Sequence, residues 1–274
     1  MKVILAFVNR DGSHLKLVHE LPGTSFNIRW SPDGSRLAFD VYNVQLGVVN
    51  ADGSGYTILT AAPTGKYSWC EDPQRIVFSR GATVTATDTI FILTLATGVV
   101  QTIEPGSDPE VSPSGDKIAC LRGRDMFIVN RDGTGATSIA DSVSGGLAWS
   151  PGGDRIAFVH QNGSLNVIGR AGGNPVQLTP QASTNSRIVS WSPDGQRLTY
   201  EHVYGVAVAK SDGSGNSIIA ANASSPDWCP DGSEIIYHSV TRGLVRAKPD
   251  GTDSAQVLQL DPELTVTWSP VPLK

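Results

Sequence analysis

Imidazole and carboxylate side chains recur at matching places late in the chain, and these residue types can bind a transition metal. His160 and His202 follow equivalent predicted strands, and His238 lies one residue off the matching place in the next repeat. A metal needs ligands at about 2 Å, whereas equivalent positions in adjacent sheets are roughly 10 Å apart. We therefore predict no metal site and expect loop residues that could meet a binding partner. These residues are His160, Glu201, His202, Tyr204, His238 and Arg242.

Charged side chains at or near the starts of predicted strands form a second group of candidates. Together they could surround the mouth of an axial channel and bind a cation or a peptide. The alternative interpretation is a solvated rim that binds no ligand. The residues are Arg29, Lys66, Asp108, Glu110 and Asp227.

The sequence contains none of the short motifs that accompany common catalytic chemistry. Gly-x-Ser-x-Gly, which would place a nucleophilic serine on a tight turn, does not occur. Neither His-Glu-x-x-His nor Cys-x-x-Cys, both metal-binding spacings, is present. The Gly-Ser-Gly segments fall in predicted turns rather than before a helix, so phosphate binding is disfavoured. We therefore predict a protein that is not an enzyme and carries no cofactor.

One repeated stretch must position all of these candidates, and its first copy runs from Trp30 to Phe39 with the sequence Trp-Ser-Pro-Asp-Gly-Ser-Arg-Leu-Ala-Phe. The Pro, Asp and Gly predict a type I turn with a bulge, and the alternating apolar residues predict a strand after it. Copies follow at intervals of 37 to 42 residues. With four strands per copy, this spacing is typical of a β-propeller. The copies are centred on Trp30, Trp69, Val111, Trp149, Trp191 and Trp228, and a partial copy begins at Trp268.

Two side chains that recur within the copies are predicted to serve the fold rather than a ligand. The turn aspartates, such as Asp33 and Asp194, should accept hydrogen bonds from nearby backbone amides. The basic residue after the turn, as at Arg155 and Arg197, should pack its stem on a neighbouring aromatic ring and keep its head in water.

A second signature, an Asp-Gly turn such as Asp52-Gly53, marks the passage from the third strand of a repeat to the fourth. The chain begins in a third strand and ends just after a first strand. We therefore predict one all-β domain over residues 1–274, a seven-bladed β-propeller of four-stranded antiparallel blades. The closing blade should combine residues 1–20 with 262–274 and pair the N-terminal strands with the C-terminal strand. This pairing would remove two exposed sheet edges.

Composition excludes several classes of partner. The formal net charge of −5 and the absence of a basic run disfavour nucleic acid. No apolar run is as long as the stretch of about 18 residues that a membrane-spanning helix needs. The apolar start at Met1–Val8 is too short for a signal peptide, so we expect a strand there and a cytoplasmic protein unless a leader was removed. The cysteines are expected to be buried free thiols; they are Cys70, Cys120 and Cys229.

With these copies in view, the chain resembles the TolB-like propellers, which are built from WD40-like PD40 repeats. The resemblance covers essentially the whole chain and rests on Trp-Ser-Pro-Asp-Gly, as at residues 30–34, and Asn-Ala-Asp-Gly-Ser-Gly at residues 50–55. It implies a propeller fold, and a periplasmic or exported location if a leader was removed. The same repeats also occur in the gating domains of prolyl-oligopeptidase-type enzymes and in oligogalacturonate lyase, so the fold does not determine the function.

We therefore expect a monomeric, non-catalytic binding or scaffold module that presents its loops and channel to a protein, peptide or glycan. A rigid ring would lower the ordering cost of binding. Two alternatives stay open. One is a polysaccharide lyase or hydrolase that acts at the channel mouth, and the other is an accessory domain of a larger hydrolase or sensor.

Overall fold

The chain folds into a series of antiparallel β-sheets. The structure is a computed structural model that describes residues 2–22, 27–41, 45–60, 66–81, 88–180 and 189–259. Within these ranges, 26 strands form six four-stranded sheets and one two-stranded sheet. Strands pair in chain order within each sheet, so the all-β prediction and the four-stranded antiparallel repeat are confirmed. We call each four-stranded sheet a blade and its strands A to D in chain order.

The chain divides into two compact units, with the boundary between Pro109 and Glu110. The first unit contains the two-stranded sheet (β1, β2), blade 1 (β3–β6) and blade 2 (β7–β10). Its strands are β1 (Lys2–Phe7), β2 (Lys16–Pro22), β3 (Ile28–Trp30), β4 (Arg36–Val41), β5 (Gln45–Asn50), β6 (Thr57–Thr60), β7 (Tyr67–Trp69), β8 (Arg75–Arg80), β9 (Thr89–Thr94) and β10 (Val99–Pro105).

The boundary falls within β11, and the rest of the blades lie in the second unit. These are blade 3 (β11–β14), blade 4 (β15–β18), blade 5 (β19–β22) and blade 6 (β23–β26). Their strands are β11 (Ser107–Val111), β12 (Lys117–Arg122), β13 (Asp125–Asn130), β14 (Thr137–Ala140), β15 (Val143–Trp149), β16 (Arg155–His160), β17 (Leu165–Gly169), β18 (Val176–Gln177), β19 (Val189–Trp191), β20 (Arg197–His202), β21 (Gly205–Lys210), β22 (Asn216–Ala221), β23 (Ala223–Trp228), β24 (Ile235–Ser239), β25 (Gly243–Ala247) and β26 (Ala255–Leu258).

The predicted number of seven blades is wrong, because the residues that the structure describes form six four-stranded blades. The predicted seventh blade combines half-repeats from the two ends of the chain, whereas a complete blade has four strands. At the N-terminal end, β1 and β2 pair with each other as a two-stranded sheet. The predicted closing strand from residues 262–274 lies outside the described residues. Each predicted centre from Trp30 to Trp228 does end an A strand.

The A–B turns show why Ser-Pro-Asp-Gly directs the chain back on itself. In blade 5, the amide of Ser192 donates to the carbonyl of Arg197 at 2.9 Å, and the amide of Gly195 donates to the carbonyl of Ser192 at 2.8 Å. Gly195 has a φ of 67°, a conformation that glycine adopts without strain. Asp194 Oδ1 accepts a hydrogen bond from the amide of Gln196 at 2.9 Å. The predicted turn-capping role of aspartate is confirmed here.

Tryptophans at the ends of the A strands hold neighbouring blades together within each unit. The indole N–H of Trp191 donates to the carbonyl of Ala148 at 3.0 Å, and that of Trp69 donates to the carbonyl of Arg29 at 2.9 Å. Among the described residues, the buried indole N–H of Trp228 has no hydrogen-bond partner. Burying each ring contributes several kcal/mol before entropy is counted, at about 25 cal/mol per Å².

The basic residue that begins strand B covers the next tryptophan, as predicted. The guanidinium carbon of Arg155 lies 5.0 Å from the ring centroid of Trp191, and that of Arg197 lies 5.2 Å from the centroid of Trp228. The head group of Arg155 also donates to the carbonyl of Gly195 at 2.8 Å. The charged end of Arg155 is therefore part of the contact between blades and not a solvated tip, which adds a cation–π interaction to the expected stem packing.

The three cysteines are buried and none of them forms a disulfide, in agreement with the sequence-based expectation. Cys120 takes the place of an aromatic residue of strand B and is fully buried, like Phe158 in the next blade. Cys70 and Cys229 follow the tryptophan of their repeats. At all three sites cysteine acts as a small apolar group.

Candidate binding surface

The end of each blade opposite the A–B turn carries the B–C turn and the connection from strand D to the next strand A. We call this the loop end. Two D–A connections of the second unit turn on a left-handed residue, Ser142 with φ 54° and Asn222 with φ 50°. Asparagine tolerates this conformation better than most residues with a β-carbon. The connections are therefore tight, and their backbone groups point at the neighbouring turns.

Asn222 fastens two B–C turns together. Its amide donates to the carbonyl of Tyr204 in blade 5 at 3.0 Å. Its carbonyl accepts a hydrogen bond from the amide of Val240 in blade 6 at 3.1 Å. One main-chain residue therefore sets the spacing of both turns, and the side chains at their tips are held at fixed positions.

Those tips present apolar side chains to solvent. Val203 is 56% exposed, Tyr204 is 68% exposed and Val240 is 63% exposed. We call these three side chains the apolar turn surface. The rings of Tyr204 and His202 lie 5.3 Å apart, and the amide of Tyr204 donates to His202 Nδ1 at 3.3 Å. The apolar turn surface is therefore an exposed, uncharged group of side chains on turns that the backbone holds in place.

The backbone next to the apolar turn surface is too closely packed for a larger residue at position 205. Gly205 has a φ of 144°, and a β-carbon there would lie 2.0 Å from the carbonyl oxygen of Ala220. Beside it, Glu201 accepts a hydrogen bond from the amide of Ser225 at 2.6 Å, and Ser225 itself is left-handed with φ 52°. Strand B of blade 5 is thus tied to strand A of blade 6 immediately below the exposed turn.

Blades 3 and 4 are joined by a similar connection, but the B–C turns that it contacts carry polar side chains. The amide of Val143 donates to the carbonyl of Arg124, and the carbonyl of Ser142 accepts from the amide of Gln161, both at 2.8 Å. The guanidinium of Arg124 then donates to Gln161 Oε1 at 2.5 Å. At this junction the two turn side chains bond to each other, which leaves their polar groups partnered within the fold.

The three predicted histidines do not converge. His160 and His202 each accept a hydrogen bond at Nδ1 from an amide of their own turn, at 3.2 Å and 3.3 Å. His238 is only 2% exposed, and burial lowers its pKa. In the ranges that the structure describes, no three His, Cys, Asp or Glu side chains are grouped to hold a metal ion. Arg242 points toward strand D of its own blade, where it donates to Ser254 Oγ at 3.0 Å.

Two of the five charged residues predicted for a channel mouth lie close together. In the first unit, Lys66 Nζ lies 3.5 Å from Asp108 Oδ2. Asp88, which sequence analysis missed, has a raised pKa because of burial and of the nearby charge of Asp108. Asp108 also has a left-handed backbone, with φ 50°.

Of the other three residues in this group, two contribute main-chain carbonyls and one a carboxylate to contacts within the fold. The carbonyl of Glu110 accepts the indole N–H of Trp149 at 2.9 Å, as that of Arg29 does for Trp69. Asp227 Oδ1 accepts from Ser190 Oγ at 2.8 Å and from the amide of Trp228 at 3.0 Å. The role of this group in binding stays a prediction.

Sequence analysis included Tyr204 but missed Val203, Val240 and Asn222. The available signal was a contrast between repeats, since the matching turns of blades 3 and 4 carry Gly123-Arg124 and Gln161-Asn162. Valine at the tip of a turn is unusual, because a β-branched residue disfavours turn conformations.

No protein-family model matches this sequence, and no curated protein matches it. Solved structures do match in fold. TolB from Acinetobacter baumannii is 17% identical with a TM-score of 0.57 over 82% of this chain, which spans 60% of that protein's length. An oligogalacturonate lyase in complex with manganese is 16% identical with a TM-score of 0.68 over 85% of this chain and 79% of the lyase. The C-terminal WD40 domain of Sif2 is 17% identical with a TM-score of 0.68, over 97% of this chain and 84% of that domain.

These similarities confirm the predicted TolB-like β-propeller fold. The matched proteins include a lyase as well as TolB and a WD40 domain, so the fold is shared and an activity is not implied. Within the described ranges, no helix is long and apolar enough to cross a membrane.

Proposed function

We propose that this chain is a non-catalytic binding module that holds a protein or peptide partner against the apolar turn surface. The observation that carries the proposal is the exposure of Val203, Tyr204 and Val240 on turns that the backbone of Asn222 fastens together. The TolB and WD40 propellers among the similar structures support a binding role in general.

The chemistry of the surface favours a protein or peptide over a glycan. Two valines and a tyrosine form an uncharged apolar centre, and Arg242 and Glu201 nearby are engaged in hydrogen bonds within the fold. Tyrosine is a common anchor in protein interfaces because its ring gives a large contact at the cost of two side-chain torsions. Polar groups around the centre, such as His202, supply the rim.

Rigidity supplies the affinity that so small a centre needs. Binding costs free energy when loops must be ordered, and a surface fixed before the encounter avoids that cost. Here the turns are already held by the Asn222 hydrogen bonds and by the close packing of Gly205. The partner therefore meets a preformed surface.

The experiment captures partners on the full chain and compares two single variants. Tyr204→Ala is expected to weaken the captured partner's affinity about 30-fold, the effect of losing an aromatic anchor worth about 2 kcal/mol. Arg124→Ala, at the matching turn of blade 3, is the control and should bind as the wild-type chain does. Both variants should keep the wild-type melting temperature, because both side chains are exposed.

Two results would overturn the proposal. The first is a partner that binds Tyr204→Ala and the wild-type chain equally well. The second is stoichiometric manganese or zinc in the purified protein together with cleavage of a polysaccharide, which would favour the lyase-type alternative.

A further inference from the structure

The D strand of each blade has one edge that its own sheet does not use, and β10 stands out among them. It is seven residues long, whereas the other D strands have two to six. The segment Val99–Ile103 carries no charge. Val99 is 59% exposed, Val100 is 44% exposed, and Gln101 and Thr102 are exposed as well. None of the described strands pairs with the second edge of β10.

In the second unit, D strands are short or blocked by the C–D turn of the following blade. A β-carbon on Gly213 would lie 3.3 Å from the carbonyl oxygen of Gln177 and from Val176 in β18. A β-carbon on Gly251 would lie 3.0 Å from the carbonyl oxygen of Ile219 in β22. These turns cover the strand edge at close range. Such covering, together with short strands, is how soluble proteins prevent edge pairing.

β10 lacks the other common protections over its first four residues. Its pairing with β9 is regular from Val99 to Thr102, and the register shift that would disturb an edge falls after Thr102. Charged residues, lysine above all, are the usual means of keeping an edge strand apart from other strands. The first charge in β10 is Glu104, beyond the regular stretch.

We propose that β10 is a self-association edge, at which two copies of this chain pair their β10 strands antiparallel about a two-fold axis. A strand edge is complementary to another strand edge, because the groups that must be satisfied are backbone amides and carbonyls. A two-fold axis is the usual symmetry of a pair of identical chains. The interaction is independent of the apolar turn surface, which lies in the second unit.

The sequence of β10 fits its own antiparallel copy. Residues directly opposite each other in an antiparallel pair must point their backbone groups the same way, so the two-fold axis passes at a residue. With the axis at Val100, Val100 lies opposite its own copy and Val99 lies opposite Gln101. The central pair joins two β-branched residues, the flanking pairs join valine to a neutral glutamine, and no like charges meet. This register also keeps clear of Ile103, where the pairing with β9 is irregular.

The size of the contact makes the association weak and dependent on concentration. Four residues from each copy bury less than the roughly 1,000 Å² that a stable interface needs. The monomer expected from the sequence is therefore the species at low concentration, and the pair forms as concentration rises.

Sedimentation equilibrium of the full chain over a wide concentration range tests the proposal. The weight-average mass of the wild type should rise from 29.0 kDa toward twice that value. Val100→Lys should raise the dissociation constant about tenfold or more, because both copies then place a lysine in one short ladder. Hydrogen exchange at the amides of Val99 to Thr102 should slow as the wild-type concentration increases.

Val176→Lys is the matched control. Val176 is also 44% exposed and also lies in a D strand, but the turn at Gly213 covers that edge. This variant should associate as the wild type does. The proposal is overturned if the wild type stays at 29.0 kDa throughout, or if Val100→Lys associates as strongly as Val176→Lys.

Discussion

The junction of blades 3 and 4 and the junction of blades 5 and 6 share a backbone plan and differ in their side chains. Both use a left-handed residue, Ser142 or Asn222, whose backbone bonds to a neighbouring turn. At the first junction, the side chains of Arg124 and Gln161 bond to each other. At the second, Tyr204 and Val240 face solvent. The repeat therefore fixes where a turn lies, while the residues at its tip decide whether the side chains of the turn find partners within the fold.

The same contrast extends to the opposite ends of blades 3 and 4. There Arg170 donates to Asp116 Oδ2 at 2.6 Å, so polar side chains bond at both ends of these two blades. Blades 5 and 6 are joined near their A–B turns by Arg197 over the ring of Trp228. Because their contacts differ, we expect the two junctions to respond differently to substitution and to acid.

The largest expected effect tests whether the backbone beneath the apolar turn surface is rigid. Gly205→Ala should lower the free energy of unfolding by about 3 kcal/mol, because the new β-carbon meets the carbonyl oxygen of Ala220. Gly123→Ala is the control in the B–C turn of blade 3. Its β-carbon would meet nothing within 4 Å, so only the cost of φ 63° remains, about 1 kcal/mol. Urea denaturation measures both; equal losses would show that the two turns are packed alike.

A smaller effect separates the two left-handed connectors. Ser142→Gly should relieve backbone strain, whereas Asn222→Gly should relieve less, because asparagine tolerates the left-handed region. In both variants the new glycine raises the conformational entropy of the unfolded chain by a similar amount. We expect Ser142→Gly to be more stable than Asn222→Gly, relative to wild type, by about 1 kcal/mol. Thermal unfolding of the pair measures the difference, and the reverse order would contradict the proposed source of strain.

The smallest effect concerns acid. The Ser114 hydroxyl, and then Arg170 and the Ser112 hydroxyl, lower the pKa of Asp116 from 3.8 to about 2. Since the folded pKa lies below the unfolded one, this stabilisation is present above about pH 4 and is lost as the pH falls toward 2. Asp116 is half exposed, so the contribution is modest.

The free energy of unfolding, measured from about pH 5 down to about pH 2.5, follows this loss, because that range covers most of the interval between the unfolded and folded pKa values of Asp116. Asp116→Asn should be less stable than wild type at the upper end, and the gap should narrow as the pH falls. A gap that stays constant with pH would show that the Asp116 carboxylate does not hold blades 3 and 4 together.

The sequence predicted the strand order and the turns because their causes are local. Ser-Pro-Asp-Gly contains the proline, aspartate and glycine that a tight turn needs, and Gly195 and Asp194 adopt the predicted roles. The blade count was wrong because the half-repeats at the two ends of the chain were counted as a seventh blade, whereas among the described residues β1 and β2 form a two-stranded sheet and not part of a four-stranded one.

The site was harder to predict because exposure depends on contacts between repeats. Val240 follows an ordinary strand in the sequence, and only the hydrogen bond to Asn222 places it beside the turn of Tyr204. Likewise, nothing in the sequence near Asp88 indicates that it lies close to Asp108, 20 positions later. Such contacts between distant residues do not leave a local pattern.

The hydrogen bonds of Asn222 use only its main chain, so they make no demand on what the adjoining turns carry. Positions 203, 204 and 240 can therefore be randomised together in a display library while Gly205 and Asn222 stay unchanged. The selected variants would then differ in their turn side chains and share the same backbone geometry. The side chains at the junction of blades 5 and 6 can therefore change, and with them the binding specificity, while the fold stays the same.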